Sequence, residues 1–78
     1  MYYIYVLRSK IDNKLYIGFT VDLRRRFQQH NEGFVHATKE RLPLELVYYE
    51  AGLNKEKAIK REKYFKTGFG RRFLKNRI

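Results

Sequence analysis

The chain opens on Met1-Tyr2-Tyr3-Ile4-Tyr5-Val6-Leu7, a β-branched and aromatic run that reads as a strand. A second run, Leu15-Tyr16-Ile17-Gly18-Phe19, follows the turn-prone stretch Ile11-Asp12-Asn13-Lys14. The short spacing favours an antiparallel hairpin. Asp22 is placed to cap a helix running to about His30, ended by Asn31-Glu32-Gly33. Residues 34–43 read as a loop closed by Pro43, and Leu44 to Glu50 as a third strand. Asn54 caps a second helix to about Lys66, with Gly68 as its stop, and a short basic helical tail spans Arg71 to Lys75. The order β-β-α-β-α-α predicts an α+β fold, a small three-stranded antiparallel sheet flanked by helices. No linker, repeat or low-complexity tract interrupts it, so residues 1–78 form one domain.

A chain of 78 residues hides only about 60–65% of its unfolded surface. With no cysteine it has no disulfide, no thiol nucleophile and no Cys-based zinc site. Thirteen aromatics, seven Tyr and six Phe, supply the core bulk instead. The formal charge is +10, which points to a polyanionic partner, nucleic acid by default. Ten of the eighteen basic residues and only two of the eight acidic ones fall in residues 55–78. No apolar run approaches the roughly 20 residues needed to span a bilayer. Met1 to Leu7 has neither the basic leader nor the cleavage site of a signal peptide. A soluble cytoplasmic protein without a membrane role is expected.

Two charged residues fall where apolar ones belong. In the first helix Leu23 and Phe27 form an apolar pair, and Arg26 lies about 60° and His30 about 20° from Leu23 around the axis. Arg24 and Arg25 point elsewhere, toward solvent or a phosphate. An arginine at the edge of an apolar face often simply snorkels. In the second helix Ala58, Ile59 and Phe65 define an apolar arc, and Glu62 sits about 40° from Ala58, inside it. A carboxylate there must be paired, hydrogen-bonded or bound to a metal. An ion pair with a nearby Lys or Arg is the ordinary outcome. Tyr5 and Tyr16 fall in adjacent hairpin strands and share a face if the register allows.

Together these residues resemble the GIY-YIG nuclease domain. Tyr3-Ile4-Tyr5 is similar to the first motif and Tyr16-Ile17-Gly18 matches the second. Thr20-x-Asp22-Leu23-x-x-Arg26-x-x-x-His30 resembles the family's helix with its catalytic arginine, and Ala58-x-x-x-Glu62-Lys63 the helix with its metal-binding glutamate. Asn31-x-Gly33, Thr38 to Pro43, and Leu46 to Glu50 resemble the small single-domain bacterial members. The likeness covers nearly the whole chain. It departs at Tyr3, which stands where the first motif has glycine, and at Phe19-Thr20, where some members carry a lysine. Asn76 is a loose counterpart of a polar residue in the family's C-terminal helix.

The resemblance implies a metal-dependent endonuclease that hydrolyses phosphodiester bonds in DNA, in repair or recombination. One Mg²⁺ or Mn²⁺ at Glu62 would keep several waters and take substrate phosphate. Arg26 would stabilise charge on the phosphate, where Lys is a poor substitute. Tyr5 is the first candidate for general base, with Arg26 and the metal favouring its phenolate, and Tyr16 for positioning water or phosphate. His30 would bond a phosphate or a tyrosine, or pack at the helix end. His36 has no assigned role. Arg24, Arg25, Lys39, Arg41, Lys60, Lys63, Arg71 and Arg72 form the candidate backbone-binding set. No base-reading signature is visible, so shape recognition is expected, with a protein partner as one source of specificity. Two other readings compete. One is a non-catalytic nucleic-acid-binding module, since relatives commonly attach this unit to a separate DNA-binding domain. The other is a structural or RNA-associated basic protein, which accounts for the charge but not for Arg26 and Glu62.

Overall fold

The computed structural model describes all 78 residues. The elements are β1 (Tyr2–Ser9), β2 (Leu15–Thr20), α1 (Leu23–Asn31), β3 (Leu44–Gly52), α2 (Lys55–Phe65) and α3 (Gly68–Lys75). The three strands form one antiparallel sheet in the order β2-β1-β3, so the first strand is central. This is the expected α+β architecture.

The period-two alternation of β1 divides the core. Ile4 and Val6 face one side, where they meet Ile17, Ala58, Phe65 and Leu74, under α2 and α3. Tyr5 and Leu7 face the other, where Leu44, Leu23 and Phe27 close over them under α1. Both sides of β1 are therefore covered, which is why four consecutive residues, Ile4 to Leu7, are buried.

The hairpin turns through Asn13, whose φ of 62° is one that Asn tolerates better than most residues. Helix α1 is capped by Asp22, whose side chain accepts from the Arg25 N–H at 3.1 Å. Its other end closes in a Schellman pattern. Gly33 at φ 81° donates to the His30 carbonyl and Phe34 to that of Gln29. At α2 the glycine reading fails. The helix ends at Phe65, and Gly68 does not stop it but begins α3. Thr67 does the turning: its hydroxyl accepts from the Gly70 N–H at 3.2 Å. The tail is thus a longer amphipathic helix, with Leu74 buried against the core. Gly70 sits where a Cβ would fall on the Tyr64 carbonyl and 2.6 Å from the Phe65 Cα, so only glycine permits this approach of α3 to α2.

Glu50 of β3 ties the helices to the sheet. Arg61 grips it with two bonds of 2.9 and 3.0 Å, and Tyr48 donates to it at 2.6 Å. The Arg61 guanidinium lies over the rings of Tyr64, Phe65 and Phe73 at 4.5 to 5.0 Å. The Arg61 bond and the Tyr48 bond outweigh the cost of partial burial and hold the Glu50 carboxyl below its ordinary pKa.

Candidate active site

The strand register decides where the tyrosines go. Leu7 pairs with Tyr16 and Tyr5 with Gly18, so Tyr5 and Tyr16 share the face that α1 covers. Their ring centroids are 6.4 Å apart. Gly18 lies directly beneath the Tyr5 ring: a Cβ there would fall on Cζ and the hydroxyl, and come within 2.8 Å of Cε2. The ring can lie flat over β2 only because that position has no side chain.

Lying so, Tyr5 carries its hydroxyl to α1. His30 Nε2 is 2.8 Å from that hydroxyl, and Arg26 Nε donates to it at 3.4 Å. Tyr16 closes the group, with its ring 5.2 Å from that of His30. Arg26 and His30 therefore point inward, as their helical spacing predicts. Arg26 is half-buried, and its outer flank lines an open concavity of about 520 Å³ with Thr20, Asp22, Arg25 and Gln29. Tyr5, Tyr16 and Glu62 are not among its walls.

His30 is buried completely, so it packs beneath Tyr5 and presents no surface to a phosphate. Its other nitrogen, Nδ1, is 2.7 Å from the hydroxyl of Thr38, itself fully buried. Burial first, and the Arg26 charge second, push the imidazole down to about 4. The ring is neutral at pH 7, with one hydroxyl partner on each nitrogen. Between pH 6.5 and 4 the unfolded chain takes up a proton here that the folded chain refuses. Stability should therefore fall as pH drops through that window, by up to about 3 kcal/mol. Urea unfolding at pH 7 and pH 5 checks this: His30→Gln should show a shallower pH slope than the native chain, and equal slopes would refute it.

Tyr5 is nearly as buried as His30. Burial is the largest influence on its phenol and raises its pKa, against the Arg26 hydrogen bond, which lowers it, while Tyr16 and the Glu62 charge raise it further. Arg26 alone does not favour the phenolate: its bond of 3.4 Å does not offset the loss of solvent. Tyr16 remains half-buried.

Glu62 lies near enough for its charge to be felt at Tyr5. Its side chain is mostly covered, 20% exposed, and pairs with the more exposed Lys66 at 3.4 Å, one helical turn on. The Lys66 end is exposed, so the pair holds the carboxylate only weakly. No three His, Asp or Glu side chains gather into an enclosing metal site. A lone carboxylate suits a hard ion that keeps its waters, as Mg²⁺ does, and not one that needs a full protein cage.

Among the expected backbone-binding residues, Arg24, Arg25, Lys39, Lys60, Lys63, Arg71 and Arg72 are exposed. Arg41 is not available. It bonds the Lys14 carbonyl at 3.0 Å and meets Asp12 at 3.4 Å, bracing the hairpin turn. Asn76 caps the end of α3 and is exposed. Thr38 and Asn31 stand in stretches that carry the family resemblance, but their contacts were not foreseen. Asn31 bonds the Leu44 N–H and carbonyl at 2.8 and 3.0 Å, holding the start of β3 to α1. The first turn of α1 holds no acid and carries consecutive arginines. That arrangement opposes the helix dipole and costs about 0.3–1 kcal/mol per charge. A helix kept for packing alone gains nothing from it.

Comparison with known proteins places the whole fold. The family model described as the GIY-YIG catalytic domain matches residues 1–76. A UPF0213 protein of Streptococcus pyogenes is 45% identical over 65 residues, covering 82% of this chain and 70% of that one. A UPF0213 protein of Streptococcus agalactiae is 43% identical, covering 82% and 73%. The solution NMR structure of a UPF0213 protein from Bacillus halodurans is similar, with a TM-score of 0.61 and 32% identity over 97% of this chain and 84% of that one. A central Tyr5 laid over Gly18, joined to Arg26 and His30 of the next helix, thus sits within a matched domain, and the chain belongs to the GIY-YIG family.

Proposed function

We propose that the protein is an endonuclease that hydrolyses phosphodiester bonds in DNA with the help of one divalent ion. The observation that carries this reading is Arg26: a guanidinium that reaches the Tyr5 hydroxyl on one side and is open on the other to a concavity. Its planar fork matches two phosphate oxygens, and its charge offsets the negative charge that develops on them. Tyr5 serves as a neutral anchor for Arg26, held by His30, rather than as a resident phenolate base. Tyr16, with its ring partly open to solvent, is left to orient the attacking water. Glu62 would hold Mg²⁺ or Mn²⁺, which when bound polarises the phosphate and acidifies a water. Arg24 and Arg25 draw the strand toward the site, and Lys60, Lys63, Arg71 and Arg72 extend the positive surface along α2 and α3.

The test is incubation with flapped, branched and single-stranded DNA, with and without Mg²⁺ or Mn²⁺. Product that appears only with metal supports the reading. Glu62→Gln should lower cleavage about 100-fold at low metal and be partly rescued by excess, while thermal unfolding moves little, because the amide keeps the size of the covered side chain and the lost partner, Lys66, is exposed. Unchanged metal dependence in Glu62→Gln would remove Glu62 from the site. The Lys66 contact also favours one second reading, a nucleic-acid-binding module without turnover. Binding with steep salt dependence and no cut product would establish it instead.

A further inference from the structure

We propose that the hollow formed by Tyr3, Tyr49 and Arg24 is a subsite for an unpaired nucleobase of the substrate strand, adjoining the Arg26 phosphate site. This rests on the reading of that site as one that takes nucleic acid. Tyr49 pairs with Tyr5 across β1 and β3, and Tyr3 is its diagonal neighbour on the same face. The two rings are 6.2 Å apart and tilted by 56°. Tyr49 is 53% exposed, on the face where α1 covers Tyr5 and Leu7. Together with Val21, Leu23 and Arg24 the rings line an open hollow of about 320 Å³.

The place of this hollow gives it a purpose. Val21 and Asp22 form one of its walls and also a wall of the Arg26 concavity, so the two lie on either side of that short ridge. A strand held by Arg26 meets the aromatic pair as it passes over the ridge. Arg24 is exposed and has no acidic partner, so its charge is free for a flanking phosphate. An aromatic face takes any base by stacking, whereas a base inside a duplex is already stacked and cannot enter. The occupant is therefore an unpaired base, as at a flap, a gap or a frayed end. Tyr3 stands where the first motif of the family has glycine, so this chain offers a ring at that position. A tilted pair across strands also supports the sheet. Any bulky apolar side chain would serve that purpose, and leucine separates the two roles.

The experiment measures binding without catalysis. Fluorescein-labelled single-stranded DNA, and the same sequence as a blunt duplex, are titrated in EDTA and read by anisotropy. Tyr49→Leu and Tyr3→Leu should each weaken single-strand binding roughly 5- to 100-fold, with little change for the duplex. Tyr49→Phe should bind as the native chain does. Equal loss on both ligands, or native single-strand affinity in both leucine variants, would overturn the subsite. So would a change confined to self-association in sedimentation, which would give the rings to a second copy of the chain. With metal excluded, a protein that binds but never cuts leaves this result unaffected.

Discussion

Arg26→Ala should reduce cleavage of a DNA substrate by about 10²–10³-fold, the loss expected when one fixed donor to a developing negative charge is removed. Arg26→Lys should recover little of it, since an ammonium cannot present two parallel N–H groups to a phosphate. The effect should fall on turnover more than on affinity. Arg24, Arg25 and the basic surface of α2 and α3 still attract the strand, and only the interaction that strengthens in the transition state is gone. Stability should change little. Arg26 is half-buried and its bonds to Tyr5 and Gln29 are both long, at 3.4 Å. Single-turnover cleavage under saturating enzyme, with thermal unfolding alongside, checks both halves. A variant that cuts at the native rate would show that the guanidinium is only a lid over Tyr5.

Much of this site could be read from the sequence because its parts lie on regular elements. Helical spacing turned Arg26 and His30 inward, and a tight hairpin put Tyr5 and Tyr16 on one face. Where regularity ends, the reading failed. Thr38 lies in a loop with no period, so nothing announced that its hydroxyl would sit on His30. Arg41 looked like any surface cation, because the Asp12 and Lys14 that engage it are brought near only by the fold. Gly68 had the composition of a helix stop, but the Thr67 hydroxyl started a new helix at that point. For Tyr5 the partners were foreseen and the balance was not. A neighbouring arginine is visible in a motif, whereas the burial that outweighs it exists only in three dimensions.

Gly18 shows the same limit from the other side, and its substitution is the sharpest probe of the arrangement. In the sequence it is one small residue in a strand, where alanine is ordinarily a mild change. In the fold, a methyl group there meets the Tyr5 ring and hydroxyl directly. Tyr5 has no room to retreat, since it is enclosed in the core with Leu7 and Leu44, and its hydroxyl is held by His30 and Arg26. Gly18→Ala should therefore destabilise the protein by about 2–3 kcal/mol, the usual cost of overpacking a filled core. It should also cut activity at least about 100-fold at temperatures where the variant remains folded, because a displacement of about 1 Å in a catalytic group costs that much. The double variant Gly18→Ala with Tyr5→Leu separates the two effects. Removing the ring relieves the clash, so stability should recover toward that of Tyr5→Leu alone, while activity, lacking the anchor of Arg26, should not return. If Gly18→Ala alone unfolds and cleaves like the native chain, the flat seat of Tyr5 over β2 is not what holds Arg26 in place.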